Sequence, residues 1–253
     1  MKILIVDIET SPHLSYHFRR WQENIPPENT IEETRTICWS AKWLGDSKMY
    51  FMSEWEDGFV EMVKGIYDLL NEADVVVGFN SDKFDIKMLN TEFLRLGYGP
   101  PSPFQKVDLY KQATKHFRFS SNRLKHLLLE LGLSPKLEDN AKMELWIDVV
   151  HWKSKSARKR MKEYNKQDVR STEEFYTYML GWIDPHPNYG LFVDDVSDAK
   201  PVCPNCGSVH LIKHKVRRTQ VKVYQQWHCK GCGKYSRGRK NIGVAGVDNG
   251  ILA

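Results

Sequence analysis

The chain has 253 residues, of which 41% are hydrophobic and 27% charged, with a formal net charge of +5 at pH 7. This composition supports a buried core and argues against a low-complexity chain. No window approaches the roughly 20 apolar residues of a membrane-spanning helix, and the N-terminus has no signal-like segment, so we expect a cytoplasmic protein without a membrane partner (host cytoplasm if the source is viral).

The positive charge is concentrated near the C-terminus. Residues from Lys200 to Ala253 contain 11 Lys and Arg and one acid, Asp248, whereas the preceding residues contain 26 basic and 31 acidic ones. This division predicts two modules, of which the second contacts an anionic partner. Charge that serves only the solubility of a small module is the alternative.

The N-terminal half reads as strands followed by strands that alternate with helices. Residues 2–8 form an apolar run typical of a buried strand, and TICWSAKWLG and KMYFMS predict a hairpin that turns at Gly45 and Asp46. GFVEMVKGIYDLLNEA has the spacing of an amphipathic helix, and VVVGFN is a short buried strand. This order predicts an α/β sheet with helices on its faces and a partly antiparallel edge.

The second half of the first module is mainly helical. FDIKMLNTEFLRLG predicts a helix that ends at Gly97, and KVDLY predicts one more strand. Asn122 is a candidate cap for the helix RLKHLLLELG. A long helical region runs from about Glu144 to Trp182, with a break near Ser154. We therefore predict a first domain at 1–182, a proline-containing linker at 183–200, a cysteine module at 201–240 and a flexible tail at 241–253.

The first strand ends in two carboxylates whose spacing suits a bound cation. Side chains at positions i and i+2 of a strand share one face, roughly 6.5–7 Å apart, so Asp7 and Glu9 project together. They do so at the carboxyl end of the strand, which is where open α/β sheets bind ligands. A pair of neighbouring anions favours a divalent ion with oxygen ligands, such as Mg²⁺ or Mn²⁺. A strand that has simply reached the surface is the plainer reading of the pair alone.

Two further acidic motifs follow in the chain. Asp85 ends the segment Asn80 to Phe84-Asp85 at the start of a predicted helix, and Tyr164 and Asp168 lie four residues apart on one helix face. With Asp7-Ile8-Glu9-Thr10, these segments resemble the Exo I, Exo II and Exo III motifs of the DnaQ-like (DEDD) 3′–5′ exonucleases, in order and spacing. The resemblance covers residues 1 to about 182.

That resemblance implies a ribonuclease H-like fold with a five-stranded mixed sheet flanked by helices. It also implies that Asp7, Glu9, Asp85 and Asp168 hold two Mg²⁺ or Mn²⁺ ions, between which a phosphodiester can be hydrolysed in line. Because Tyr164 occupies its position in the third motif, and because the other branch has a His where this chain has Glu163, the chain resembles the tyrosine (DEDDy) branch. The tyrosine hydroxyl of that branch positions the attacking water.

Three polar residues of this module are predicted to contact the substrate. Thr10 and Asn80 belong to the first and second motifs. Arg158 lies on the third-motif helix between a lysine stripe, which points away from the metals, and the stripe that carries Tyr164 and Asp168.

The basic module carries two CxxC-G pairs. Cys203 and Cys206 form the first pair, and Cys229 and Cys232 form the second. Four thiolates bind one structural Zn²⁺ tetrahedrally, and metal binding supplies the folding energy that so small a core lacks. The intervening segment alternates polar and apolar residues, so the pattern predicts a zinc ribbon with a β-hairpin.

The same segment interleaves cations with aromatic residues. Arg217, Arg218 and Trp227 are the predicted nucleic-acid contacts, since cations suit phosphates and a ring suits base stacking. Ribbons also dock onto proteins, which makes a replication or repair protein the alternative partner.

Together these observations predict a metal-dependent 3′–5′ exonuclease that releases nucleoside monophosphates from single-stranded ends, with DNA weakly preferred, in a repair, recombination or mobile-element setting. A processing 3′–5′ exoribonuclease and a structure-selective endonuclease on the same fold are open alternatives. A nucleic-acid-binding adaptor with a vestigial acidic site is a third.

Overall fold

A computed structural model describes residues 1–19, 21, 24–133, 142–192 and 201–243. The chain divides into two compact units, Lys2–Tyr176 and Thr177–Ala253. None of the helices in these described ranges combines the length and the apolar character that crossing a bilayer requires.

The larger unit is built on a five-stranded mixed sheet. The strands of the larger unit in chain order are β1 (Ile3–Thr10), β2 (Leu14–Ser15), β3 (Thr30–Glu32), β4 (Thr36–Trp43), β5 (Met49–Ser53), β6 (Val75–Gly78) and β7 (Gln105–Asp108). The sheet order is β5-β4-β1-β6-β7, and β2 pairs with β3 in a separate two-stranded sheet. Strand β1 runs antiparallel to β4 and parallel to β6, and the hairpin between β4 and β5 is confirmed. The predicted mixed sheet with an antiparallel edge is therefore confirmed.

Helices cover both faces of this sheet. They are α1 (Phe59–Glu72), α2 (Asp85–Arg95), α3 (Leu109–His116), α4 (Leu124–Glu130), α5 (Met143–Val150) and α6 (Lys155–Met179). The break predicted near Ser154 separates α5 from α6, and Gly97 follows α2 with a φ of 76°. The prediction that Asn122 caps α4 is wrong, because Arg123 is the residue that precedes the first turn.

The alternation of side chains along β1 sorts its residues between two cores. Leu4, Val6 and Ile8 pack against α1 and α2 on one face of the sheet. Asp7 and Glu9 therefore project from the opposite face. On that face Cys38, which pairs with Glu9 across the sheet, packs against α5 and α6. The strand thus delivers its two carboxylates to the side that α6 covers.

The smaller unit contains a three-stranded antiparallel sheet, ordered β10-β9-β8. Its strands are β8 (Leu211–Arg218), β9 (Val223–Cys229) and β10 (Tyr235–Asn241). The hairpin predicted between the two cysteine pairs is confirmed as β8 and β9, whereas β10 was not predicted. Of the predicted linker, residues 193–200 lie outside the described residues, and so do residues 244–253 of the predicted tail.

Candidate metal centres

Three of the predicted acidic ligands converge in the larger unit. One carboxylate oxygen from each of Asp7, Glu9 and Asp168 lies within 4.8 Å of the other two. Glu9 and Asp168 are buried, with 9% and 7% of their surface exposed, and Asp7 is half-buried. Three anions held this close with little water repel one another unless a cation lies between them. The donor set therefore fits a hard divalent ion with oxygen ligands.

Asp85 reaches the same strand by a different contact. It is the first residue of α2, and its Oδ1 accepts a hydrogen bond of 3.2 Å from the backbone N–H of Ile8. Burial raises the pKa of the Asp85 carboxyl from its ordinary 3.8 to about 6, although the Ile8 hydrogen bond opposes the shift; the charge of Asp108 adds to it. Asp85 is thus bonded to the backbone between Asp7 and Glu9 without belonging to the group of three oxygens.

Tyr164 lies one helical turn before Asp168 and forms a hydrogen bond with its carboxylate. Burial and the nearby carboxylates, that of Asp168 foremost, raise the pKa of Tyr164 well above its ordinary value of 10. The ring packs edge-on against Trp146, with centroids 6.0 Å apart and an interplanar angle of 76°. The phenol is consequently protonated at neutral pH and bonded to the acidic group.

Two residues that the sequence reasoning missed hold the carboxylates in place. Asn165, which is fully buried, donates from Nδ2 to Asp7 Oδ2 at 2.8 Å and to the Asp7 carbonyl at 3.2 Å. Trp146 Nε1 donates to Glu9 Oε2 at 3.2 Å. Helical spacing gives a signal for Asn165, because it lies three residues before Asp168 on the same helix. Nothing local in the sequence connects Trp146 with Glu9, which precedes it by 137 residues.

Asp108 organises the turn that leads to Asp85. Its Oδ1 accepts hydrogen bonds from the backbone N–H groups of Asn80, at 2.9 Å, and Tyr110, at 3.0 Å. Asn80 has a φ of 61°, a left-handed conformation that Asn adopts more readily than most residues. One buried carboxylate therefore caps α3 and fixes the bend between β6 and α2.

An open cleft of about 480 Å³ extends from the acidic group. Its lining combines aromatic rings, side-chain amides and two cations with the carboxylates of Asp7 and Asp168. The residues that line it are Asp7, Phe79, Asn80, Lys83, Tyr110, Asn122, Arg123, Leu124 and Asp168. The cleft thus offers both cations and stacking surfaces within one volume beside the carboxylates.

Two of the three predicted substrate contacts in this unit lie away from the cleft. Of the described residues, Asn80 lines the cleft, whereas Thr10 and Arg158 do not. Thr10 ends β1 opposite Thr36, beyond an irregularity in the pairing. The guanidinium of Arg158 lies 5.6 Å from the Trp55 ring centroid and donates to the carbonyl of Val149 at 3.4 Å. Contacts within the protein therefore hold Arg158.

Two lysines of the α6 stripe, Lys162 and Lys166, are half-buried, whereas Lys155 and Lys159 of the same stripe are exposed. Lys162 forms a 2.6 Å ion pair with Glu56, and its ammonium lies 4.8 Å from the Phe51 ring centroid. Lys166 lies over the same ring at 5.8 Å. This side of α6 therefore packs against β5 through two half-buried lysines.

The four cysteines of the smaller unit form a second candidate centre. Their sulfur atoms all lie within 4.8 Å of one another, with Cys203 Sγ 3.6 Å from Cys232 Sγ and Cys206 Sγ 3.6 Å from Cys229 Sγ. Burial tends to raise the pKa of the Cys229 thiol, but hydrogen bonds from the backbone and neighbouring thiols outweigh it and lower the pKa to about 7. A closed set of four sulfurs fits a structural zinc ion.

The two cysteine pairs have matching backbone turns. Gly207 donates from its N–H to the Cys203 carbonyl at 2.9 Å, and Gly233 donates in the same way to Cys229 at 3.0 Å. Both glycines have a positive φ, of 71° and 78°, which a side chain would strain. A glycine therefore lets the backbone turn after each cysteine pair.

The three predicted nucleic-acid contacts of the smaller unit lie on two faces of its sheet. Arg217 pairs with Tyr224 across the sheet, whereas Trp227 pairs with Lys213. Tyr224 and Trp227 are three residues apart in one strand, so their side chains point to opposite faces. Arg218, the neighbour of Arg217, lies on the Trp227 face.

A scan of protein families matches residues 38–180 to the RNase_H superfamily. Among solved structures, the chain is similar to the family B DNA polymerase from the hyperthermophilic archaeon Pyrobaculum calidifontis, with 18% identity and a TM-score of 0.54. That alignment covers 71% of this chain and 24% of the polymerase, so the chain spans about a quarter of that protein. At this identity the likeness establishes the fold alone. A search of the curated proteins finds no similar sequence.

Proposed function

Because this chain belongs to the RNase_H superfamily, we propose that it is a divalent-metal-dependent 3′–5′ exonuclease of the tyrosine (DEDDy) branch, acting on single-stranded nucleic acid with a weak preference for DNA. The observation that carries the proposal is the convergence of the Asp7, Glu9 and Asp168 oxygens beside the Tyr164 hydroxyl. Superfamily membership supports a nuclease, and the tyrosine supports the branch.

Asp7, Glu9 and Asp168, together with Asp85, are the residues that would hold two Mg²⁺ or Mn²⁺ ions. When bound, such ions activate water and stabilise the leaving oxygen of a phosphodiester. Hydrogen bonds within the protein hold these carboxylates in fixed positions. Asn165 and Trp146 each donate a hydrogen bond to one of the carboxylates, at 2.8 Å and 3.2 Å. Such outer hydrogen bonds orient the ligands and tune the affinity for metal.

Tyr164 is suited to donating a hydrogen bond and is a poor base. Its raised pKa keeps the hydroxyl protonated at neutral pH, and its contact with Asp168 points the group toward the acidic centre. A protonated phenol can orient an attacking water but cannot remove its proton. We therefore assign Tyr164 to positioning the water.

The adjoining cleft is the proposed binding site of the terminal nucleotides. Lys83 and Arg123 supply positive charge at its wall, which offsets the repulsion between phosphates and the carboxylates of Asp7 and Asp168. Phe79 and Tyr110 pack edge-on, with centroids 5.8 Å apart, and offer a stacking surface. Asn80 lines the same volume, and Asn122 has a buried Oδ1 with no hydrogen-bond partner among the described residues. This amide oxygen can accept a hydrogen bond from a base or sugar.

The smaller unit is proposed to bind one structural Zn²⁺ through its four cysteines and to bind the strand through its cations; the two cations that the sequence predicts as contacts, Arg217 and Arg218, lie on opposite faces of its sheet. Its charge supports this role, because residues 201–243 contain ten Lys and Arg and no acidic residue. Thr10, Arg158 and Trp227 remain predicted substrate contacts. A replication or repair protein is the alternative partner of this unit.

The deciding experiment follows the digestion of 5′-labelled DNA and RNA strands of matched sequence, with and without magnesium. We expect a ladder that shortens from the 3′ end, that requires the metal, and that is lost in Asp7→Asn. Asp68→Asn, the same change on the exposed side of α1, is the matched control and should retain activity. Hydrolysis by Asp7→Asn at the parental rate would refute the assigned site, and cutting of a circular single strand would indicate an endonuclease.

A further inference from the structure

The three-stranded sheet of the smaller unit has two chemically different faces. Cross-strand pairing places Arg217 beside Tyr224, and His228 between Ile212 and Tyr235. Arg237 joins this face because it pairs with Gln226, two residues from Tyr224. We call it the tyrosine face, defined by His214, Arg217, Tyr224, His228, Tyr235 and Arg237. The opposite side, the tryptophan face, is defined by Lys213, Arg218 and Trp227.

Among the described residues of this unit, the tyrosine face alone carries ordered stacks of rings and guanidinium groups. Tyr235 and His228 are stacked, with centroids 4.4 Å apart and an interplanar angle of 10°. His214 approaches Tyr235 as well, at 5.1 Å. The guanidinium of Arg237 lies over the Tyr224 ring at 4.2 Å. These contacts hold flat groups in fixed orientations, which lowers the entropy cost of stacking a further ring on them.

The face is also accessible. Tyr235 is 49% exposed, and Arg217 and Arg237 are exposed on the strands to either side of Tyr224. Exposed rings without charges around them would favour a protein partner. Here, however, every charged residue within 201–243 is positive. Cations that flank exposed rings match a polyanion that also has rings to stack.

We propose that the tyrosine face is the surface on which this unit binds single-stranded nucleic acid, with an unpaired base stacked on Tyr235 and backbone phosphates contacted by Arg217 and Arg237. A duplex hides the faces of its bases and would use only the cations, so the stacked rings select a single strand. The inference rests on the proposed function, since it specifies how the strand that the nuclease digests is held.

The test measures binding of the full chain to a 5′-fluorescein strand of thymidines, about 20 nucleotides long, by fluorescence anisotropy in magnesium-free buffer. Arg217→Gln with Arg237→Gln removes two charges from the tyrosine face, and Lys213→Gln with Arg218→Gln removes two from the tryptophan face. We expect the first pair to weaken binding at least about tenfold and the second at most about threefold. The first pair should also lower the salt dependence of log K by about 1.4.

A second comparison separates stacking from charge. Tyr235→Leu keeps every charge and should weaken binding about fivefold or more, whereas Trp227→Leu should have a smaller effect. Zinc content is measured for each variant, and if the double arginine variant loses zinc, the Tyr235→Leu result decides alone. Equal losses from both faces, or a larger loss from the tryptophan face, would overturn the proposal. Unchanged binding in every variant would do so too, and would favour a protein-docking unit.

The outcome is independent of hydrolysis, because binding is measured without magnesium. Adding magnesium to the same strand then tests the nuclease. A strand that binds through the tyrosine face but is not digested would leave this inference standing and refute the proposed activity. If the strand is digested but changes to the tyrosine face leave its binding unaffected, this inference is refuted and the proposed activity stands.

Discussion

Asn165 Nδ2 lies 2.8 Å from Asp7 Oδ2, and the same nitrogen also donates to the backbone carbonyl of Asp7. The helix that carries Tyr164 is thereby bonded to the strand that carries the first two acids. Asn165 is fully buried, and its Oδ1 has no hydrogen-bond partner among the described residues. The amide is thus oriented by what it donates to Asp7.

Replacing this amide should weaken metal binding. Asn165→Leu keeps the number and branching of the side-chain heavy atoms and removes the donor without leaving a new unsatisfied group on α6, so we expect a folded protein with about 10- to 100-fold lower affinity for Mn²⁺. Titration of Mn²⁺ followed by electron paramagnetic resonance measures this directly. Arg170→Leu, on the exposed side of the same helix, is the control. Parental Mn²⁺ affinity in Asn165→Leu would show that the hydrogen bond does not orient Asp7.

The Tyr164 hydroxyl should affect turnover and leave metal binding unchanged. Tyr164→Phe keeps the ring against Trp146 and removes only the oxygen that contacts Asp168. Loss of a positioned hydrogen bond to the attacking water should lower kcat about 100-fold, with the Mn²⁺ affinity within a factor of two. Single-turnover digestion of a labelled strand gives the rate. Tyr178→Phe, an exposed tyrosine of the same helix, should digest at the parental rate, and equal rates for both variants would contradict the role.

The sequence alone is sufficient to predict those parts of the site that depend on local periodicity. Asp7 and Glu9 share a face because β1 alternates, and Tyr164 and Asp168 share a face because α6 turns every 3.6 residues. The mixed sheet follows from the order of apolar runs, and the cysteine pairs fix their own turns through Gly207 and Gly233.

Other parts depend on tertiary packing that no local pattern encodes. Trp146 reaches Glu9 only because α5 packs beside β4, and its sequence neighbours do not differ from those of any amphipathic helix. Strand β10 was missed because its sequence, YSRGRKN, has little apolar character and is completed only by pairing with β9. Helix α3 has eight residues, too few for a clear period, and is stabilised by the Asp108 cap.

The buried carboxyl of Asp85 should make the stability of the magnesium-free protein depend on pH. Its pKa is raised from 3.8 to about 6, so the folded state binds this proton more tightly than the unfolded chain does. The stabilising contribution is therefore complete below pH 3.8 and is lost as the pH rises through 6, by roughly 3 kcal/mol in the limit.

Asp85→Asn isolates this contribution. The amide oxygen can still accept the Ile8 hydrogen bond but has no proton to lose, so the variant should gain free energy of unfolding relative to the parent as the pH rises from 4 to 7.5. Urea unfolding at a series of pH values, on protein dialysed free of magnesium and manganese, measures the difference. Asp68→Asn, an exposed aspartate, should run parallel to the parent. A difference between Asp85→Asn and the parent that stays constant with pH would contradict the raised pKa.

Zinc removal should affect binding of the strand more than hydrolysis. Cys229→Ser breaks the set of four thiols, and because metal binding provides most of the folding energy of such a unit, the zinc content should fall from one ion per chain toward zero. We expect the affinity for a single strand to fall at least about tenfold, since the sheet that displays the cations is lost. At saturating substrate kcat should change by less than about threefold. Cys38→Ser, a cysteine buried in the other unit, should keep its zinc, and unchanged affinity in Cys229→Ser would favour a protein-docking role.

Arg123 should bind substrate without taking part in the chemistry. It lines the cleft beside the acidic group and is exposed, so its guanidinium can contact a phosphate near the end of the strand. Arg123→Gln should raise KM about 5- to 10-fold with little change in kcat, and should lower the salt dependence of log K by about 0.7, the value expected for one phosphate contact on a single strand. Steady-state digestion at several salt concentrations separates the two constants. Lys87→Gln, which removes one charge from the exposed side of α2, is the control. A fall in kcat at unchanged KM would place Arg123 in the reaction itself and not in substrate binding.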